Sequence, residues 1–233
     1  PIFDDSATVP LNEAGIDTLR ASPYVISTIP PSLEGDGVLQ ALAPELRTSA
    51  VEGTLQWLAY LSSTGVYGDC GGAWVNEDSN IAPGGSPVAA RRAQAEAGWL
   101  SLFERSGLPV HAFRLSGIYG PGRSALDTVR KCNGDINSAG ADDSVYISRI
   151  HVRDIVQVLR ASMAAPTPGL VLNVADDLPS TRYDVLAYAA RLLGFPVQAP
   201  QYGVVGGSYA TRGGSKRVDN TAMRALLSSA GLH

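Results

Sequence analysis

Cysteine is scarce, with only Cys70 and Cys132 among 233 residues, far apart and outside any CxxC spacing. Two such residues cannot build a disulfide framework, so they read as ordinary thiols suited to a reducing compartment. The three histidines, His111, His151 and His233, have no paired spacing with Cys, Asp or Glu that resembles a zinc or iron site, and no metal is expected. Long apolar runs are missing too: no stretch approaches the roughly 18 uncharged residues of a spanning helix. The opening PIFDDSATVP has neither the basic flank nor the apolar core of a signal peptide. The expectation is a soluble protein of the cytoplasm or of an organelle matrix or stroma, with no membrane insertion. Positive charge is not in excess, since 18 Lys and Arg face 22 Asp and Glu for a formal net charge of -4. That balance argues against nucleic acid as a partner and against an anionic membrane surface. Arg91, Arg92, Lys216 and Arg217 form small basic spots that read as solvated surface.

What is present suits a globular core: 45% of the residues are hydrophobic and 17% charged, enough for one large domain or one and a half smaller ones. PYVIST (23–28) is a β-rich run stopped by Pro30-Pro31, and a helical stretch follows from about Val38 to Leu46. LQWLAYLSS (55–63) is a second strand, ending in turn-rich residues. From Val88 to about Arg105 runs a helix with Trp99, Leu100 and Phe103 on its apolar face, Arg92 and Glu96 four apart, and Gly107 closing it. PVHAFRLSGIYG (109–120) reads as one strand running into a loop. HVRDIVQVLRASMA (151–164) reads as a helix burying Ile155, Val158, Leu159 and Met163, with Asp154 as its cap. GLVLNVA (169–175) is another strand, and Thr181 with Asp184 opens a helix that Gly194 ends. Beyond Pro196 the chain is glycine-rich and irregular until a short helix from about Thr221 to Ala230. Strands alternating with helices predict an α/β fold with a mainly parallel sheet.

Five short motifs then occur in order: LSSTGVYG (61–68), SPVAARRAQAE (86–96), FRLSGIYGPG (113–122), RIHVRDIV (149–156) and LNVADD (172–177). Together they resemble the extended short-chain dehydrogenase/reductases, the NAD(P)-dependent sugar epimerases and dehydratases. The segments from Gly71 to Glu77 and from Pro121 to Val129 are similar in texture to atypical members. The resemblance implies a Rossmann-type, doubly wound parallel sheet over residues 1–165 and a small substrate lobe, mainly 166–233 and interleaved with it. It also implies NAD or NADP as cofactor and an unknown small molecule as substrate. Ser63, with Thr64 beside it, matches the hydroxyl that orients substrate after the fifth strand. Thr28, Ser63, Arg92, Ser116, Gly117 and Ile118 fall where the family lines its cofactor.

Two departures stand against the family pattern. Its catalytic SPYxxxKxxxE lies over Ser86, Pro87, Val88, Arg92 and Glu96, so Val88 stands at the tyrosine position and Arg92 at the lysine position. A tyrosine hydroxyl passes a proton as hydride moves and a lysine lowers its pKa. Valine cannot ionise, and arginine's planar, permanently charged head is not an ammonium. Tyr67, a nearby phenol, reads as a ring packed beside its turn. The second departure is the missing glycine-rich first turn, which leaves either a chain that begins after the first strands, the favoured expectation, or a protein that has lost that element. Arg123 and Lys131 could meet an anionic substrate, although solvent exposure is the default for both. Two functional readings follow: an oxidoreductase-like protein with a degenerate Tyr-Lys pair, and a non-catalytic structural subunit with protein partners in a larger assembly.

Overall fold

Strand β2 (Trp57–Ser63) sets the architecture, because its alternating side chains supply two different cores. Trp57 and Ala59 face one apolar cluster while Leu58 and Tyr60 face another. A strand buried on both faces belongs inside a parallel sheet covered by helices on each side. The computed structural model, which describes residues 11–81, 86–200 and 214–232, has that arrangement. β1 (Tyr24–Ser27), β2, β4 (Val110–Leu115) and β8 (Val171–Val174) form a parallel sheet in the order β1-β2-β4-β8. The fold is α/β with a Rossmann-type parallel sheet.

One face is covered by α2 (Gly37–Val51) and α3 (Pro87–Ser106), whose Leu42, Leu46, Ala95, Trp99 and Leu102 pack with Leu58, Tyr60 and Val110. The indole of Trp99 stacks on Tyr60 at 5.7 Å and donates from Nε1 to Asp36 Oδ2 at 2.7 Å. Asp36 caps α2 by accepting the Leu39 N–H, so one side chain ties the two helices together. The other face is covered by α5 (Val152–Ala164) and α7 (Thr221–Ser229), with Ile155, Val158 and Met223 against Trp57, Phe113, Leu172 and Val174. Trp57 Nε1 donates to Ser162 Oγ at 3.0 Å, fixing α5 to the central strand.

The remaining elements are shorter. They are α1 (Glu13–Arg20), β3 (Trp74–Val75), β5 (Gly117–Tyr119), α4 (Ala125–Lys131), β6 (Tyr146–Ile147), β7 (Arg149–His151), β9 (Ser180–Thr181), α6 (Arg182–Leu192) and β10 (Arg217–Val218). Three two-stranded ladders, β3–β10, β5–β7 and β6–β9, lie beyond the main sheet. Helices α4 and α6 share their own small core of Val129, Ile136, Leu186 and Ala190.

Several elements differ from the sequence expectation. The helix read as ending near Leu46 continues to Val51 through Pro44, because burial of Leu46 and Ser49 outweighs one lost backbone hydrogen bond. The run read as one strand over 109–120 breaks at Ser116, so that β4 joins the main sheet and β5 pairs with β7. The cap of α5 is His151, whose Nδ1 accepts the Arg153 N–H at 3.2 Å, and Asp154 sits in the first turn. Thr181 and Asp184 do cap α6: Thr181 Oγ1 accepts the Asp184 N–H at 3.1 Å and donates to its carboxylate at 2.6 Å. The glycine-rich stretch 201–213 lies outside the described residues. Among the described residues no helix is long and apolar enough to cross a membrane.

His111 is fully buried beside Trp57 and Phe113. The Thr167 N–H donates to Nε2 at 2.9 Å, which leaves Nδ1–H to donate to the Leu58 carbonyl. Burial pushes its pKa below the ordinary histidine value. The unfolded chain therefore takes up a proton before the folded one, and stability held above about pH 6.5 should fall as pH drops below it. Urea denaturation at pH 7.5 and 5.5 checks this, and the acid-side loss should shrink in His111→Gln.

Candidate functional site: a cleft at the carboxyl edge of the sheet

Parallel strands deliver their carboxyl ends to one edge, where open α/β sheets bind ligands. Thr28 follows β1, Ser63 ends β2 and Ser116 follows β4, and all three line a cleft of about 750 Å³ at that edge. Thr64, Arg92, Gly117 and Ile118 line it as well. Ser63 also caps the single 3-10 turn Thr64–Tyr67, its Oγ accepting the Gly65 N–H at 3.1 Å, which leaves the hydroxyl hydrogen for the cleft. Ser116 is 5% exposed, and its Oγ has no hydrogen-bond partner. Val88 is in the first turn of α3, 47% exposed, and is not among the lining residues, whereas Arg92 one turn later is. Arg123 lines the cleft; Lys131, at the end of α4, does not.

Under this edge lies a polar network that sequence reading missed. Glu96 lies four residues after Arg92 on α3, a spacing that fits the helix read from the sequence. Glu96 is 1% exposed and takes Arg114 of β4, with Nη2–Oε1 at 2.6 Å and Nε–Oε1 at 3.0 Å. Ser62 donates to the other carboxylate oxygen at 2.5 Å. Arg114 Nη1 donates to the Tyr67 hydroxyl at 2.8 Å and to the Glu77 carbonyl at 3.2 Å, and Tyr67 in turn donates to Asn173 Oδ1 at 2.8 Å. The Glu77 side chain accepts the Asn173 N–H at 2.7 Å. Burial pushes the Tyr67 phenol above its ordinary pKa, against the lowering effect of Arg114. The ring does pack beside its turn, as expected, but its hydroxyl is committed on both sides. The available signal was alternation: β4 places Arg114 on the same face as Ala112 and Val110, so an arginine there must meet a buried acid.

The loop before β10 supplies the cleft with Lys216, which the sequence suggested was solvated. It is 5% exposed, its Nζ donates to the Gly68 carbonyl at 2.9 Å, and burial pushes its pKa down. The chain folds inward here because Ser215 is held twice: its N–H donates to Asp69 Oδ1 at 2.9 Å and its Oγ accepts the Tyr146 N–H at 2.9 Å. Arg217 lies over both Trp74 (5.5 Å) and Tyr146 (4.9 Å) and donates from Nε to the Gly72 carbonyl. It too is more than a surface charge.

No family model matches the chain. A functionally unknown conserved protein from Silicibacter pomeroyi is 37% identical, with a TM-score of 0.74 and coverage of 90% of this chain and 72% of that one. The chain belongs to that protein's family. A protein from Methylobacillus flagellatus described as an NAD-dependent epimerase/dehydratase is 26% identical, with a TM-score of 0.61 over 94% of this chain and 74% of its own. The dTDP-glucose 4,6-dehydratase of Bacillus anthracis, in complex with NAD, shares the fold at 19% identity and a TM-score of 0.65, over 88% and 66% of the two chains. Its structural neighbours are thus NAD-dependent epimerase/dehydratases. In sequence, Protein YeeZ of Escherichia coli K12 is 27% identical over 190 residues, which is 80% of this chain and 64% of YeeZ. The chain therefore spans less than two thirds of that relative's length.

Breaking the buried pair under the cleft leaves a charge without its partner, at a cost of about 3–5 kcal/mol. Glu96→Ala should lose stability of that order in urea denaturation, and Arg20→Ala, which removes an ion pair with exposed members, should lose about 1 kcal/mol or less.

Proposed function

We propose that the protein is an NAD(P)-binding, oxidoreductase-like protein of the epimerase/dehydratase type whose catalytic Tyr-Lys pair is degenerate. The observation that carries this reading is that Thr28, Ser63, Arg92, Ser116, Gly117 and Ile118 share one cleft at the carboxyl edge of the parallel sheet. The residues fit a nicotinamide nucleotide: a buried, unpartnered Ser116 hydroxyl needs a polar ligand group, and Arg92 offers fixed donors and charge for ribose hydroxyls. Bound there, the nicotinamide would supply hydride transfer.

The chain's own residues divide the remaining work. Ser63, held by Gly65, would orient a substrate hydroxyl or carbonyl with its free O–H, and Thr64 stands beside it. Arg92 would contribute positive potential without serving as an acid or base, because its guanidinium keeps its proton. Tyr67 would hold no catalytic proton, since its hydroxyl already serves Arg114 and Asn173. Position 88 would offer none, so a factor of about 10²–10⁴ from general acid-base catalysis is forgone.

Val88→Tyr with Arg92→Lys is the informative variant, and the half-exposed position of Val88 leaves room for the larger ring. NADH and NADPH binding by calorimetry and single-turnover hydride transfer should show retained cofactor affinity and a measurable gain in rate. The exposed position of Val88, outside the lining, also suits the non-catalytic subunit, for which the double change brings no gain. Ordinary turnover that survives Ser63→Ala/Thr64→Ala would overturn the assignment of these residues.

A further inference from the structure

We infer that Tyr60 supplies the cleft with the phenol that position 88 lacks, its hydroxyl donating to the sugar hydroxyls that Arg92 meets. This deepens the nucleotide-binding reading above and rests on it, although Tyr60 lies outside every motif that carried the resemblance. Tyr60 is in the middle of β2, three residues before Ser63, and is 1% exposed, yet it lines the cleft. Its side chain therefore runs from the core to the cleft. Leu58 and Trp99 hold the ring on the α3 side of the sheet, the indole stacked on it at 5.7 Å and 20°. Arg92 stands two turns before Trp99 on the same face of α3 and lines the cleft as well. The phenol reaches the cleft from the strand, and the guanidinium reaches it from the helix packed against that strand.

The hydroxyl is the part of Tyr60 that packing does not explain, since a phenylalanine would fill the same space and stack on the same indole. Among the described residues it has no hydrogen-bond partner. The hydroxyl of Tyr67, by contrast, is engaged by Arg114 and Asn173. The two carboxylates whose charge acts on Tyr60 are committed elsewhere: Asp36 accepts from Trp99 Nε1 and the Leu39 N–H, and Glu96 accepts from Arg114 and Ser62. Burial above all, and then Asp36, push the pKa of the phenol above its ordinary value, with Arg92 opposing and Glu96 adding to the rise. The group thus keeps its proton and acts as a donor. A hydroxyl shut off from bulk water and left unpaired by the protein is completed by an acceptor on a ligand. Ribose offers two adjacent hydroxyl oxygens, one to accept from the planar guanidinium and one to accept from the phenol.

Tyr60→Phe is the test, because it removes the hydroxyl and keeps the ring. In calorimetry on the whole chain, NADH should bind Tyr60→Phe about tenfold more weakly, the loss of one hydrogen bond to a ligand. The melting temperature of the variant should be no lower than that of the unaltered protein. Arg92→Gln should weaken NADH binding as well, and because both side chains hold one ribose, the double variant should lose less than the product of the two single losses. Equal NADH affinity in Tyr60→Phe and the unaltered protein overturns the inference. So does weaker binding accompanied by a lower melting temperature, which makes the hydroxyl a contact of the fold. Losses that multiply in the double variant overturn the shared ribose. Failure of the unaltered chain to bind either NADH or NADPH sinks the nucleotide reading and the inference with it, and is told apart from the other failures because no substitution is involved.

Discussion

The bidentate contact between Glu96 and Arg114 is the constraint from which the site's geometry follows. It joins α3 to β4 across the core, and through Tyr67, Glu77 and Asn173 it reaches the turn after β2 and the strand β8. A buried pair of this kind is poor evidence for net stability, since well-packed apolar residues often do as well. Its effect is on register. With every oxygen of Glu96 and most donors of Arg114 engaged, α3 has one permitted rotation and β4 one permitted height, which in turn place Arg92 and Ser116 at the cleft.

Much of the fold was legible because it rests on local periodicity. β2, α3, α5 and β8 announce themselves by alternation or a helical stripe, and Gly107 in a left-handed conformation closes α3 as a terminal glycine should. The motifs that resemble the epimerase/dehydratases fall on β2 and the turn after it, on the start of α3, on β4 and β5, on β7 with the start of α5, and on β8. What stayed hidden depends on contacts distant in sequence. The two-residue strands β3, β6, β9 and β10 carry too few residues to show a period and exist through their partners. Lys216 looks like any surface lysine until Ser215 and Asp69, 146 positions apart, draw its loop inward. Glu96 and Arg92 have the spacing of a helical ion pair, yet the buried guanidinium of Arg114 on a neighbouring strand is a stronger claimant than the half-buried one of Arg92 at the cleft.

The cleft has two chemically different walls. The strand-end wall offers hydroxyls, Thr28, Ser63, Thr64 and Ser116, which suit neutral polar groups and the orientation of a reacting carbon. The wall from β5, β7 and the β10 loop offers cations. Hydroxyls select by geometry at short range and cations by charge at longer range, so the two walls discriminate by different physics.

The placement of Glu96 has an evolutionary consequence. Helix α3 is anchored by Trp99 and Glu96 in its middle, while the turn that carries Val88 contributes little to the core. The segment on which this resemblance puts the reactive pair is thus relieved of folding duty. Substitutions there can drift without unfolding the protein, and chemistry can be lost, regained or exchanged at positions 88 and 92 on an unchanged scaffold. A lineage built this way can retire an activity and keep the binding site.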